Sequence, residues 1–329
     1  MKIVRALLVL GLLVILAAGY GVFRLNQPYQ GFQQPAIVDL PHGTSTGAIA
    51  DMLARAGVVR SRWDFLLARL TLRRRKLQAG EYRFDHPESP RQVFDRIARG
   101  DIVYYVLSVP EGKDMFEIGA AVEHLGLFSA EQFVAAARNP ALIHDLDPQA
   151  PTLEGYLFPN TYRLNRQTTP EGLCRLMTAK FRGVWQKLHS SADIHQTITL
   201  ASLVEKEGKL SAERPVIAAV FLNRLRIGMT LDCDSTTIYA ATLDHRYRGT
   251  IYRSDLASDN PYNTYRHAGL PPGPIANPGL ASIQAVLHPA DSDALYFVLR
   301  PDGSGAHTFS STIAAHRVAA KKYRRGLRK

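Results

Sequence analysis

The sequence predicts an α+β protein in three parts: an amino-terminal transmembrane helix, a small α+β module, and a larger α+β domain carrying a glutamate-bearing helix. Three observations predict it. Ala6–Phe23 is an unbroken run of eighteen apolar or small residues. A strand, a Pro-x-Gly turn and a short helix occur twice, so that Ile37–Gly43 (IVDLPHG) matches Val106–Gly112 (VLSVPEG) at an offset of 69 residues. Ile194–Ala240 then reads as two helices followed by a Gly/Thr/Asp-rich turn region. At 329 residues the chain is long enough for two domains with real cores.

The apolar run is near the lower length limit for a membrane span. Lys2 and Arg5 precede it, which favours a cytoplasmic amino terminus with the remainder outside. The competing reading is a cleaved signal peptide, since small residues stand at Ala17, Ala18 and Gly19. The run continues through Tyr20, Val22 and Phe23, which favours an uncleaved anchor in the cytoplasmic (inner) membrane, and both readings export the rest. Net charge is +11. Outside the cytoplasm, that excess argues against nucleic acid and for an anionic surface or polymer, with lipid headgroups and cell-wall polymers as candidates. It concentrates in Arg73-Arg74-Arg75-Lys76 and in the tail (Lys321, Lys322, Arg324, Arg325, Arg328, Lys329); the tail reads more simply as a frayed, solvated end. Cys174 and Cys233 are the two cysteines. They are too few for a zinc site or a disulfide framework, and a single bridge between them stays open.

Residues 1–24 are thus assigned to the cytoplasmic end and anchor, 25–36 to a polar linker, 37–110 to the small module and 111–329 to the larger domain. In the repeat, Pro41 matches Pro110, Ile49 matches Ile118, and Gly57 matches Gly126. Between the copies, Ser61 caps a helix with apolar positions Trp63, Leu66, Leu67 and Leu70, and Gly80–Phe84 alternates as a strand. Ser89-Pro90 starts a helix that Gly100 ends, and Asp101–Val109 is a strand. Ser129-Ala-Glu-Gln132 is a capping box. Leu153–Tyr162 reads as an ordered loop or edge strand whose aromatics either line a sugar groove or plug the core. Thr169-Pro170 opens a helix ending near Lys187. Tyr262–Pro278 holds too many prolines and glycines for regular structure. Leu295–Leu299 with His307–Ser310 forms a hairpin, and Ile313–Tyr323 a last helix.

The chemistry centres on two glutamates. With Leu200 at 0° and 100° per residue, Leu203 falls at about 300°, Val204 at about 40° and Glu207 at about 340°, inside the apolar stripe. Glu205 falls at about 140° and Lys206 at about 240°, on the polar sides. A carboxyl in an apolar wall has its pKa raised and suits general acid work. Pairing with a buried arginine, or a frayed helix end before Gly208, explains the same placement without function. The chain lacks a G-x-x-x-x-G-K-[ST] phosphate loop, G-x-S-x-G and H-E-x-x-H. Its eleven histidines are scattered; His288 and His307 stand in site-like segments and read first as structural. What remains is carboxylate chemistry at Glu207, with Asp232 and Asp234 in the loop after the second helix, and it suits glycosidic cleavage of a polar polymer.

Eight motifs occur in one order: GEYRF (Gly80–Phe84), VPEG (Val109–Gly112), EGYLFPNTY (Glu154–Tyr162), ASLVEKEG (Ala201–Gly208), FLNRLRIGMTL (Phe221–Leu231), YNTY (Tyr262–Tyr265), GLPPGPI (Gly269–Ile275) and HTF (His307–Phe309). In these the chain resembles the MltG (YceG-like) family of membrane-anchored endolytic murein transglycosylases along essentially its whole length. The resemblance implies a LysM-like small module. It also implies a lyase that cuts the β-1,4 bond between N-acetylmuramic acid and N-acetylglucosamine within nascent strands, leaving 1,6-anhydro ends. The implied catalytic residue is Glu207, acid and then base, with Glu205 as runner-up. Implied substrate contacts are Glu154, Asn223, Arg224, Asp234, Asn263, Thr264, Tyr265 and His307. No cofactor or metal is implied; glycan strands are the implied partner, and penicillin-binding synthases a suggested one. Leu231–Ser235 departs from the family's usual L-Q-[ST]-D-P, with Asp232 for Gln and Ser235 for Pro. Competing expectations are a muramidase that admits water, using Asp232 or Asp234, and a non-catalytic peptidoglycan-binding scaffold.

Overall fold

The first helix, α1 (Lys2–Asn26), outruns the apolar stretch that predicted it. In this computed structural model, which describes residues 2–72 and 75–326, Leu7–Asn26 has a mean hydropathy of 2.2, and its apolar eighteen-residue stretch is not buried inside the protein. It is long and apolar enough to cross a membrane. Arg73, Arg74, Arg328 and Lys329 of the basic clusters lie outside the described residues. The chain divides into two compact units, Met1–Tyr105 with Arg163–Thr168, and Val106–Tyr162 with Thr169–Lys329. The division falls earlier than the expected 110/111 boundary, and a later segment returns to the first unit. It returns because Arg166 Nε pairs with Glu81 Oε2 at 3.0 Å and Gln167 Nε2 donates to Leu40 O at 3.0 Å.

The first unit contains β1 (Ala36–Leu40), α2 (Thr46–Arg55), α3 (Arg62–Thr71), β2 (Gly80–Phe84) and α4 (Pro90–Arg99). β1 and β2 pair antiparallel with Val38 opposite Tyr82. Their inward side chains, Val38, Leu40, Tyr82 and Phe84, close over Leu53, Phe65, Phe94 and Ile97. Ser89 and Gln92 form a capping box at the start of α4, and Gly100 ends it at φ 74°, where a left-handed residue without Cβ is favoured. The expected linker 25–36 is docked instead. Leu25 is buried, Arg24 Nη2 donates to both Asp64 oxygens at 2.8 and 2.7 Å, and Gly31 N–H donates to Gly57 O at 2.9 Å. Its polar composition signalled a tether, but its backbone finds partners that composition does not reveal.

Helix α3 also differs from expectation. Phe65 and Ala68 are its fully buried positions, while Trp63 is 70% and Leu70 54% exposed. Apolar residues lie on both sides of this helix, so spacing alone did not pick the inward one. The core takes the side holding Phe65, where Asp64 turns in to meet Arg24.

Strand β3 (Tyr105–Val109) is shorter than the predicted Asp101–Val109 and pairs with β4 (Asn160–Leu164). The repeat is real at the turn level: Gly43 and Gly112 sit at φ 80° and 77°, and each leads into a helix. In the second unit follow α5 (Met115–His124), α6 (Ala130–Ala137), α7 (Pro170–Leu188), α8 (Ile194–Glu207), α9 (Arg214–Arg226), α10 (Asp234–Leu243), α11 (Arg253–Leu256) and α12 (Leu280–Leu287). The hairpin β5 (Tyr296–Leu299) and β6 (His307–Ser310) and the helix α13 (Ile313–Gly326) complete it. Its core gathers Leu200, Leu203, Val204, Ile217, Phe221, Leu231 and Tyr239. The turn region expected up to Ala240 is replaced from Asp234 onward by α10. Tyr262–Pro278 is irregular, as predicted. The Leu153–Tyr162 aromatics are core plugs at Tyr156, which meets Phe181 edge-on at 5.0 Å and whose hydroxyl donates to Asp147. Cys174 and Cys233 are both free and buried.

The assignment of the α3 core face yields a test by urea denaturation. Phe65→Ala is expected to cost about 3–5 kcal/mol, and Trp63→Ala to stay within about 0.5 kcal/mol. Equal costs would refute the assigned face.

Candidate active site

Helix α8 starts at Asp193, whose side chain accepts from Gln196 N–H. Every residue from Thr197 to Val204 is buried. The polar side expected for Glu205 therefore does not exist. Its side chain is only 5% exposed, with Arg214 Nη2 donating to Oε1 at 2.7 Å and Gly279 N–H donating to Oε2 at 3.0 Å. Glu111 lies 3.5 Å from the same guanidinium. Both Glu205 oxygens are occupied by scaffold donors.

Glu207, the last residue of α8, has a different environment. Gly208 follows because a Cβ there would lie 2.9 Å from both Val204 O and Arg214 Cγ; the chain turns where only glycine fits. Glu207 is partly buried and lines a cleft of about 340 Å³. Ser235 Oγ, in the first turn of α10, donates to Glu207 Oε1 at 3.0 Å. Burial holds the Glu207 carboxyl above its ordinary 4.5; the Ser235 hydrogen bond opposes the rise, the charge of Asp234 adds to it, and His307 and Lys206 pull back. Such a carboxyl is kept protonated to higher pH beside open space, as a general acid requires.

The opposite walls come from distant parts of the chain. Arg224, on α9, donates through Nε to Leu295 O at 2.6 Å and through Nη1 to Leu231 O at 2.8 Å, and stacks over Tyr296 at 5.4 Å. Asp232 lies in the left-handed region at φ 49°, 3.8 Å from Arg224. Asp234 accepts from Tyr265 Oη at 2.7 Å. His316 stacks on Tyr296 at 5.2 Å, and its Nδ1 is buried without a partner among the described residues. Burial first, then Arg224 and Arg324, hold His316 below its ordinary 6.5, so it is a neutral hydrogen-bonding group at pH 7.

Of the sequence-predicted contacts, Arg224, Asp234 and Tyr265 line this cleft with Glu207. The others are placed within the fold. Asn223 donates to Ser292 O and Ala294 O. Asn263 donates to Leu256 O and Ser258 O, and Thr264 Oγ1 meets Thr236 Oγ1 at 2.8 Å. Glu154 is 1% exposed, accepts from Met115 N, Tyr239 Oη and Asn277 Nδ2, and is pushed up to about 8 by burial and by Asp114 against those donors. His307 is buried, with Nδ1 2.7 Å from Glu213 Oε2, and meets Phe297 edge-on. His288 caps the end of α12. Sequence reasoning missed Ser235 as a partner of the acid, and missed Tyr296 and His316 altogether. Ser235 did carry a signal: it stands where the resemblance leads one to expect proline, which has no hydroxyl to donate.

The sequence profile of the YceG-like family matches residues 38–322. The chain belongs to the YceG-like family. An endolytic murein transglycosylase of Bacillus subtilis is 31% identical over 325 residues, covering 92% of this YceG-like chain, which spans 89% of that protein. Another protein of that name, from Streptococcus pneumoniae, is 30% identical over 301 residues; 79% of the chain aligns with 53% of its length, so the chain spans about half of it. A crystal structure of a YceG-like protein from Listeria monocytogenes is 29% identical with a TM-score of 0.55, covering 87% of this chain and 99% of that one.

The two glutamates predict opposite stability effects. Removing one partner of the buried Glu205–Arg214 pair, as in Glu205→Ala, is expected to cost about 3–5 kcal/mol. For Glu207 the folded pKa is raised, so ionisation of the unfolded chain above pH 4.5 favours unfolding until the folded carboxyl also ionises. Glu207→Gln removes that drain. It should match the parent near pH 4 and gain on it as pH rises, in urea titrations at pH 4 and pH 7. A Glu207→Gln loss matching that of Glu205→Ala would overturn the distinction.

Proposed function

We propose that this chain is a membrane-anchored endolytic murein transglycosylase in which Glu207 is the single acid–base. The observation that carries the proposal is a raised-pKa carboxyl at a helix end, open to a cleft and held by one hydroxyl, in a chain whose Bacillus relative bears that activity in its name. The proton on Glu207 goes to the oxygen linking N-acetylmuramic acid to N-acetylglucosamine, and the bond from the anomeric carbon to that oxygen breaks. The N-acetyl group assists at the anomeric carbon. The Glu207 carboxylate then takes the proton of the muramyl 6-hydroxyl, whose oxygen closes onto the anomeric carbon. Glu207 is reprotonated, the product ends in 1,6-anhydro-N-acetylmuramic acid, and no water is consumed.

Arg224, Asp234 and Tyr265 supply the polar lining that a glycan with hydroxyl and N-acetyl groups needs. Glu154, Asn223, Asn263, Thr264 and His307 act through the walls they hold. Glu205 holds the helix end. The βααβ order of β1, α2, α3 and β2 supports the LysM-like reading of the small module. A cleft of about 340 Å³ between Pro41–Thr44 and Leu77–Ala79 offers it a glycan seat. With α1 in the cytoplasmic membrane and Lys2 and Arg5 inside, both units work outside the cytoplasm on nascent strands, alongside penicillin-binding synthases.

Mass spectrometry of digested sacculi tests the reaction. The parent should yield anhydro-muramic ends, and Glu207→Gln should lose them by roughly 10²–10⁴-fold in rate. Reducing ends would instead favour water attack with Asp232 or Asp234, and unchanged cell-wall phenotype in Glu207→Gln would favour a scaffold. The pH profile gives a second check. kcat/KM should fall as pH rises through the Glu207 pKa, and Ser235→Ala, which removes a hydrogen bond that lowers it, should move that limb to higher pH.

A further inference from the structure

Helix α3 has two apolar faces, and the core uses one. Phe65 and Ala68 point inward, while Trp63, Leu67 and Leu70 recur at i, i+4 and i+7 on the other side. Trp63 is 70% and Leu70 54% exposed, while Leu66 and Leu67 are half-buried, each with one side against the rim of the core. A tryptophan so exposed beside an exposed leucine has an energetic cost in water unless something covers it. The stripe is continuous with the membrane-crossing candidate α1: Leu67 Cδ2 lies 3.5 Å from where a Cβ on Gly21 would sit. Arg24, the first charged residue after the apolar run, is locked to Asp64 at the start of α3. Gly21 is three residues before Arg24, which sets the Leu67 contact about 4.5 Å toward the membrane from the first charge. Interfacial helices bury their apolar face by about 5–10 Å. Charge agrees, since Arg60–Lys76 carries seven basic residues against one acid, Asp64, which Arg24 neutralises, and of the seven Arg62 and Arg75 also pair with Asp51 and Asp95.

We propose that α3 is a second membrane contact, lying in the lipid interface beside α1 with Trp63 as its aromatic anchor and Leu66, Leu67 and Leu70 at the acyl boundary. The occupant of the outer stripe is the anionic phospholipid face of the bilayer that α1 crosses. Tryptophan suits that level, with an apolar ring and a polar N–H, and Arg62, which also pairs with Asp51, stacks over the ring at 5.6 Å. This rests on the reading of α1 as an anchor.

The test uses the full chain in vesicles of phosphatidylethanolamine and phosphatidylglycerol, with bromine placed at shallow or deep acyl positions. The chain has two tryptophans. Trp185→Phe, which keeps a ring stacked on Phe181, leaves Trp63 as the reporter. The expected result is blue-shifted emission, quenched more by shallow than by deep bromine. Comparison of the parent with Trp63→Phe gives the same answer without altering Trp185, because the quenchable fraction should vanish. Val14→Trp in a Trp63→Phe/Trp185→Phe background reports on α1. If Val14→Trp is quenched and Trp63 is not, the α3 contact is refuted and the anchor stands. If neither is quenched, the anchor falls and the α3 contact falls with it.

Discussion

From Thr197 to Val204 helix α8 has no solvent side, and most of the larger unit follows from that. A helix buried on all faces from Thr197 to Val204 cannot leave two glutamates at its end unaccommodated, because an uncompensated charge there costs several kcal/mol. Each glutamate is accommodated differently. Glu205 recruits Arg214 from the start of α9 and the Gly279 N–H from the start of α12, so three helices meet at one carboxylate. The turn carrying Glu111 and Gly112 is drawn to the same corner, with Glu111 near Arg214 and Lys206 Nζ donating to Gly112 O at 3.3 Å. Glu207 receives a single hydroxyl and an opening. Burial at that opening makes ionisation more costly for Glu207 than for an exposed glutamate, which raises its pKa.

A second polar knot lies deeper. Asn277 is fully buried, and its side-chain oxygen accepts from Gly155 N and Leu157 N at 2.8 and 2.9 Å. Its amide nitrogen donates to Lys113 O at 2.9 Å and to Glu154 Oε1 at 2.7 Å. One side chain thereby joins three irregular stretches. Buried loops have no ladder to satisfy their backbone groups, so side-chain amides and carboxylates must do it. Glu154, Asn263 and Thr264 look, in sequence, like groups offered to a sugar. In the fold they offer themselves to the loops, and the cleft keeps its shape as a result.

What was legible in the sequence was local. The helix start at Ser89-Pro90, the capping box at Ser129, the Pro-x-Gly turns of the repeat and the hairpin at residues 295–310 depend on neighbours a few residues apart, and they stand where expected. The inward angle of Glu207 was visible too, because Leu200, Leu203 and Val204 define one stripe within two turns. What depended on partners far along the chain was not. The wheel gave Glu205 a wet side that Arg214 and Gly279 remove. Asp234–Ala240 looked like a turn region because Asp, Ser and Thr favour turns, yet those residues open α10. His316 and Tyr296 stand about a hundred residues from Glu207 in sequence, in segments with no catalytic signature. The outward stripe of α3 competed with its core face on equal terms, since hydrophobic spacing reports that a side is apolar and not what it touches.

The docking of residues 25–36 bears on how far the small unit can travel. A free tether of twelve residues would let it wander by an r.m.s. distance of about 19 Å from the end of α1. The buried Leu25, the Arg24–Asp64 pair and the Gly31–Gly57 hydrogen bond remove that freedom. The first unit is therefore held at a fixed height above the point where α1 leaves its surroundings. A polymer that reaches this unit must come to it, and lengthening this stretch would extend its reach only after those contacts had been broken.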